Sequence, residues 1–399
     1  MKVKIEKLDH FGRGITYVND KICFVENALP GEIIKIKIIK ETKKYFLAEA
    51  VDFDLLSDDR VEYVCPYASS CGGCNLQHLS FEKENEFKYN KLKEILKKFG
   101  GVSEDKVKGV ISVNEYAYRN KVVLHGKDKV IGYYEKNTNK VISVDECFLV
   151  DEKMNKVIDI LNQVIINNRV DEALIRCSNS TSRVMVSIKG VLTDYSLFEN
   201  VIDTLIVNDE VIFGRGAIIS NIGDKKFYVS DESFFQVNKG LTEFLYDEVL
   251  NVVKEIKPSR VLDLYCGTGT IGIYISDYVD RVVGVDYSKS GIEDAKKNNL
   301  LNNTNVEFIC DKVENVIDRF SDIDLVIVDP PRSGLDSKTI ENICRIKAKK
   351  VVYVSCDPVT LARDLKILAN QYEISYVKGF NMFPRTYHVE SVAILNLRI

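Results

Sequence analysis

Two short turns and one glycine-rich loop in the last third of this 399-residue chain bring together a thiol and several carboxylates. Val328-Asp329-Pro330-Pro331-Arg332 and Ser355-Cys356-Asp357-Pro358 each follow a β-branched apolar run, so each sets its reactive side chain where a strand ends. In open α/β sheets ligands gather beyond the carboxyl ends of the strands. The stretch DLYCGTGTIG, from Asp263 to Gly272, also follows an apolar run and opens a helical one. Its glycines let the backbone turn sharply and approach a ligand without a Cβ clash. A thiol, a carboxylate-Pro-Pro turn and a cofactor loop at neighbouring strand ends point to nucleophilic group transfer.

The residue after Pro331 narrows the chemistry. Asp-Pro-Pro followed by an aromatic suits methylation of an exocyclic amine, with the ring stacking a flipped base; Arg332 stands in that place and argues against it. Cys356 is the better nucleophile. A thiolate adding to C6 of uracil turns C5 into an enolate carbon able to take a methyl group. The C5 proton must then leave before sulfur is expelled, which requires a general base. Glu390, in His388-Val389-Glu390-Ser391, is the candidate. Taken singly, each residue has a plainer reading: a cysteine at a strand end is more often a packed small hydrophobe, and a lone glutamate a surface carboxylate.

Gly267, Gly269 and Gly272 also satisfy G-x-G-x-x-G, so a dinucleotide site is the rival reading of the loop. Asp263 tips the balance. A carboxylate just before the glycines would repel a pyrophosphate but suits the ammonium of a methionine-type cofactor. Asp286 ends the next apolar run, where an acidic side chain can accept both ribose hydroxyls.

Cys65, Cys71 and Cys74, with Pro66 and Gly72-Gly73, form a compact sulfur-ligand loop, and Cys147 is the best fourth ligand. Four thiolates fit zinc or an iron–sulfur cubane. The uneven spacing favours the cluster over zinc, whose sites more often show two short Cys pairs. Cys266, Cys310 and Cys344 lie in or beside apolar segments and read as packing. Ten cysteines in such a chain do not read as a disulfide framework.

The elements that must position these groups form an alternating pattern. From residue 231 onward, strand runs such as RVLDLY, VVGVD, DLVIVD and VVYVS alternate with helical segments, which predicts a parallel α/β sheet covered on both faces. The last two strands, EISYVKGF and ESVAILNL, are expected to form an antiparallel pair at its end. Residues 1–56 alternate apolar and polar positions between closely spaced turns, as in a small oligonucleotide-binding β-barrel. Residues 57–230 hold the cysteines, a charged helix near 80–99 and mixed strands, and read as an α+β central domain. The net charge of −4 does not mark a nucleic-acid binder, yet residues 337–399 carry ten Lys/Arg against five Asp/Glu, a local +5. No apolar run is long enough to span a membrane and the N-terminus has no signal-peptide core, so a cytoplasmic protein is expected, with no obligate protein partner evident.

These motifs, taken together and in order, resemble the S-adenosylmethionine-dependent RNA 5-methyluridine methyltransferases, most closely the 23S ribosomal RNA branch. GRGITY and FVENALPGE look like a TRAM domain, CPYASSCGGCNLQH with Cys147 looks like the family's four-cysteine [4Fe-4S] site, and SFFQVN, DLYCGTGTIG, DPPRSGL, VSCDP and FPRTYHVESVAIL look like its methyltransferase motifs. The resemblance implies a Rossmann-like class I methyltransferase sheet and a TRAM barrel. It also implies S-adenosylmethionine and a cluster as cofactors, and RNA as partner. By it, Cys356 is the nucleophile and Glu390 the base, while Gln236, Tyr265, Asp286 and Asp329 contact the cofactor and Asp311 lies near its adenosine. Asp286 stands where a glutamate is more usual. Tyr118-Arg119-Asn120-Lys121 is similar to a family segment near the substrate. Barrel and cluster together favour 23S rRNA over transfer RNA, whose enzymes often lack them, and the target base is expected to be flipped out of an unpaired loop.

Overall fold

The computed structural model of the chain describes residues 1–398. The N-terminal strands form one six-stranded sheet from Lys2–Lys4 to Tyr45–Leu55, closing over Ile5, Val25, Ile34 and Ala48. Asn19 and Asp20, both at positive φ, make the two-residue turn that joins Gly14–Val18 to Lys21–Glu26, the turn whose twist matches paired strands.

Seven strands between Lys121–Lys127 and Glu210–Phe213 make a second sheet. The helix Glu152–Asn167 lays its apolar stripe, including Val157, Leu161 and Val164, on that sheet's core.

The third sheet positions the site. Its eight strands run Glu307–Cys310, Arg281–Asp286, Arg260–Leu264, Leu325–Val328, Lys350–Ser355, Glu390–Leu397, Tyr372–Phe380 and Val107–Ile111 in spatial order. All neighbours pair in parallel except Glu390–Leu397, which is antiparallel to both of its neighbours. Apolar clusters on both faces bury it, as the β-branched strands require.

Two placements differ from the sequence reading. Glu390–Leu397 and Tyr372–Phe380 do pair antiparallel, but Glu390–Leu397 is inserted inside the sheet rather than lying at its end. The strand Val107–Ile111 and the helix Phe81–Gly100, read as parts of a central domain over 57–230, belong to this third layer. The strand pairs with Tyr372–Phe380, and Leu92, Ile95 and Leu96 of the helix enter the sheet's core. Those helix residues pack with the nearby Val102 and Val107 and with Leu361, Ala362 and Leu365 of the helix Pro358–Leu368, so part of their burial is set by residues far away in the chain.

Candidate active site and cysteine cavity

The inserted strand explains how Cys356 and Glu390 meet. Because it runs against its neighbours, its N-terminal end lies at the edge where the parallel strands have their carboxyl ends. Ser355 is paired with Ser391, so the next residue outward on one strand is Cys356 and on the other Glu390. The Cys356 thiol lies within reach of the Glu390 charge. Burial pushes the Cys356 thiol up to about 12, helped by the Glu390 and Asp329 carboxylates and opposed by the Arg332 guanidinium. Burial likewise holds Glu390 up at about 8, with Asp329 adding to it and Arg332 opposing. Arg332, which the sequence reading used only to exclude another chemistry, is the exposed cation that faces both groups.

The glycine loop lies across the same edge. Tyr265, Gly267 and Gly269 all have positive φ. A Cβ on Gly269 would come 2.5 Å from the Phe308 ring, whereas one on Gly267 would meet nothing within 4 Å, so Gly267 marks the loop's open side. Asp263 is fully buried. Its Oδ2 accepts from Gly272 N at 3.0 Å, and its Oδ1 has no partner among the described residues. Burial, then Asp329, pushes it up to about 8; Asp329 itself is pushed up to about 7 by burial and then by Asp286. Asp286 accepts from Gly267 N at 2.9 Å and Ser288 N at 2.7 Å, which fixes its carboxylate beside the loop.

The other residues expected near a cofactor lie around this loop. Asp311 N donates to Asp286 O, and the Asp311 carboxylate, held down by Asn315 and Lys312 N, lies on the surface beside it. Tyr265 is half-buried, its phenol raised to about 12 by burial. Gln236 is buried in a segment that touches the loop, since Thr268 Oγ1 donates to Phe234 O at 3.3 Å. In that segment Phe235 is buried while Phe234 is 66% exposed, so Phe234 offers an open ring that the sequence reading did not single out. The orphaned Asp263 oxygen and the open face at Gly267 fit a ligand that carries an ammonium, as a methionine-type cofactor does.

Cys65, Cys71, Cys74 and Cys147 line one cavity of about 480 Å3, counted to its open mouth. Three further groups on its wall, Gln77 Oε1, Arg119 Nε and Tyr133 Oη, are buried without a partner among the described residues. Among those residues no three His, Cys, Asp or Glu side chains converge closely enough to hold a single ion. The four thiols nonetheless share one space with a guanidinium and a phenol on its wall. Arg119 and its neighbours link the cavity to the site. Asn120 Nδ2 donates to Gln236 O at 2.9 Å, Tyr118 Oη donates to Pro384 O at 3.0 Å, and Asn75 N and Leu76 N both donate to Arg385 O.

Residues 208–398 match the tRNA (Uracil-5-)-methyltransferase family and residues 1–51 match the TRAM domain. An RNA methyltransferase of Halalkalibacterium halodurans is 33% identical over all of this chain and 97% of its own, and one of Clostridium tetani 34% identical over 96% and 93%. The crystal structure of Pyrococcus abyssi tRNA (uracil-54, C5)-methyltransferase with S-adenosyl-L-homocysteine superposes with a TM-score of 0.84 at 29% identity, covering 99% of this chain and 100% of that one. Among the described residues no helix is long and apolar enough to cross a membrane. The chain belongs to the S-adenosylmethionine-dependent RNA (uracil-5-)-methyltransferase family, with an N-terminal TRAM domain and a class I methyltransferase fold.

Proposed function

We propose that this enzyme methylates C5 of a uridine in 23S ribosomal RNA through a temporary bond from Cys356 Sγ to uracil C6. The observation that carries the mechanism is the pairing of Ser355 with Ser391, which sets a thiol and a buried carboxylate side by side at the sheet edge. The Cys356 thiolate adds to C6 and the electrons of the C5–C6 double bond move to C5 and its enolate oxygen. S-adenosylmethionine supplies the methyl group that C5 takes up. Glu390 then removes the C5 proton, the double bond reforms and Cys356 leaves as thiolate. A carboxylate near pKa 8 is a far stronger base than an ordinary glutamate, which suits a weakly acidic C–H. Arg332 favours the anionic form of both groups.

Asp263 Oδ1 would accept from the cofactor ammonium and Asp286 from its ribose, with Gln236, Tyr265, Asp311 and Asp329 along the same rim and Gly267 leaving the backbone open. Cys65, Cys71, Cys74 and Cys147 would hold a [4Fe-4S] cluster, whose sulfides Arg119 and Tyr133 can meet as donors. The P. abyssi match, which spans that whole chain, favours a second reading in which the RNA is a tRNA. The test offers both RNAs, each carrying 5-fluorouridine, from which no C5 proton can be removed. We expect a denaturation-resistant complex with a 23S rRNA fragment, absent in Cys356→Ala. Turnover of normal RNA without trapping by the wild type would overturn the thiolate mechanism, and trapping of tRNA alone would replace the substrate.

A further inference from the structure

The barrel sends one loop, residues 9–13, across to the segment that precedes Glu390. Asp9 builds its tip. Asp9 Oδ1 accepts from Phe11 N at 2.9 Å and Arg13 N at 2.8 Å, and Oδ2 accepts from Arg13 Nε at 2.8 Å. Gly12 has φ +79° and lies so close to Leu76 that a Cβ there would come 2.5 Å from Leu76 Cδ2, so the tip rests on the cysteine loop. Phe11, at the outside of this braced turn, is 54% exposed and meets the Tyr387 ring edge-on at 5.3 Å.

From Phe11 a line of rings and one cation extends both ways. The Arg13 guanidinium lies over Phe11 at 5.2 Å and over Phe24 at 4.6 Å, and Phe24 meets Tyr45 at 5.6 Å on the barrel. In the other direction Tyr387 packs on His388 at 4.3 Å, two residues from Glu390. Phe24, Tyr45, Tyr387 and His388 are all only half-buried. A contact made only to dock the barrel would bury Phe11; here the ring touches its partner and still shows more than half its surface to water. Partly exposed rings alternating with a guanidinium are the chemistry that takes up unpaired nucleotides, since every base has a π-face.

We propose that this strip, from Tyr45 through Phe24, Arg13 and Phe11 to Tyr387 and His388, is a stacking track for the unpaired nucleotides that flank the target uridine. The track rests on the reading that the enzyme acts on a uridine in RNA, and it assigns the barrel a specific task. The barrel keeps the flanking strand single so that one base can enter the pocket of Cys356.

The test uses the full-length protein and a single-stranded oligouridylate carrying 2-aminopurine at each position in turn, with a perfectly paired duplex as competitor. Wild type should quench the probe at one or more positions and the duplex should not compete. Phe11→Leu keeps an apolar contact with Tyr387 but has no ring face; Phe11→Tyr keeps the ring. We expect Phe11→Leu to lose the quenching at one position and to bind about 5- to 150-fold more weakly, the range for one stacked base. Phe11→Tyr should match wild type, and all three should bind S-adenosylhomocysteine equally. Equal quenching and affinity in the leucine and tyrosine variants, or efficient competition by the duplex, would overturn the track. Its failure is separable from failure of the methylation reading, because trapping of 5-fluorouridine RNA by Cys356 at saturating RNA does not depend on Phe11.

Discussion

Glu84 and Glu390 are both carboxylates withdrawn from water, and Arg385, which contacts Glu84, lies five residues before Glu390, yet their surroundings are opposite. Glu84 sits in a closed set of donors: Lys88 Nζ at 2.7 Å, Asn381 Nδ2 at 3.0 Å and Arg385 N at 3.0 Å to both of its oxygens. Lys88 also donates to Asn381 Oδ1 and Phe383 O, and Arg385 reaches Leu79 O and Glu115. Glu390 has Asp329 for a neighbour and only the exposed Arg332 to offset it. The first arrangement spends its charges on holding residues 381–385 in place. The second leaves charge uncompensated at the sheet edge, which makes Glu390 basic and gives a cationic or proton-bearing ligand something to neutralise. The fixed network precedes the poised group in the chain, so the rigidity of one sets the position of the other.

Breaking the poised side should give the largest effect. Glu390→Gln is expected to lower multiple-turnover methylation by about 10²- to 10⁴-fold, the usual worth of a positioned base. Covalent RNA should meanwhile accumulate on Cys356, read by gel shift after denaturation; rapid turnover with no adduct would remove the base from Glu390. Breaking the fixed side should act on stability instead. Lys88→Met leaves Glu84 buried beside fewer donors and should cost about 3–5 kcal/mol in urea unfolding. A variant as stable as wild type would mean that Arg385 and Asn381 alone satisfy Glu84.

How much of this contrast can be read along the chain depends on how local each signal is. The glycine loop, the Asp329 turn and Cys356 are legible because strand ends and turn residues are written in adjacent positions. Glu390 is legible as a candidate from its motif, but its closeness to Cys356 follows from the insertion of an antiparallel strand, which no short pattern announces. The helix Phe81–Gly100 reads along the chain only as a charged helix, with Glu84 and Lys88 at the four-residue spacing of a surface pair. Their burial comes from Asn381 and Arg385, nearly 300 positions away in the chain, and from the pairing of Val107–Ile111 with Tyr372–Phe380. The four cysteines are legible as a set, whereas Gln77, Arg119 and Tyr133 on the same wall carry no spacing signal.

Asp263 lies between the two extremes, since one of its oxygens is satisfied by Gly272 N and the other is free. Asp263→Asn keeps the shape and removes the charge. We expect S-adenosylhomocysteine to bind about 10- to 100-fold more weakly, the range for one hydrogen bond to a charged group, with little change in unfolding. Unchanged affinity by calorimetry would place the ammonium elsewhere on the rim.

The smallest effect is also the one that tests the contrast most directly, because it predicts opposite signs for the two regions. In the unfolded chain Glu390 ionises near 4.5, but in the folded protein it holds its proton up to about 8. Between those values the unfolded state binds fewer protons at this position than the native state. The stability that Glu390 contributes is therefore complete below about pH 4.5 and is lost as pH rises toward 8. Glutamine does not titrate, so Glu390→Gln should be more stable than wild type at pH 8 and should approach it at pH 5. Lys88→Met should be less stable at both. Urea unfolding of the three proteins at the two pH values gives the comparison, and a glutamine variant that gains nothing at pH 8 would show that Glu390 is compensated as fully as Glu84.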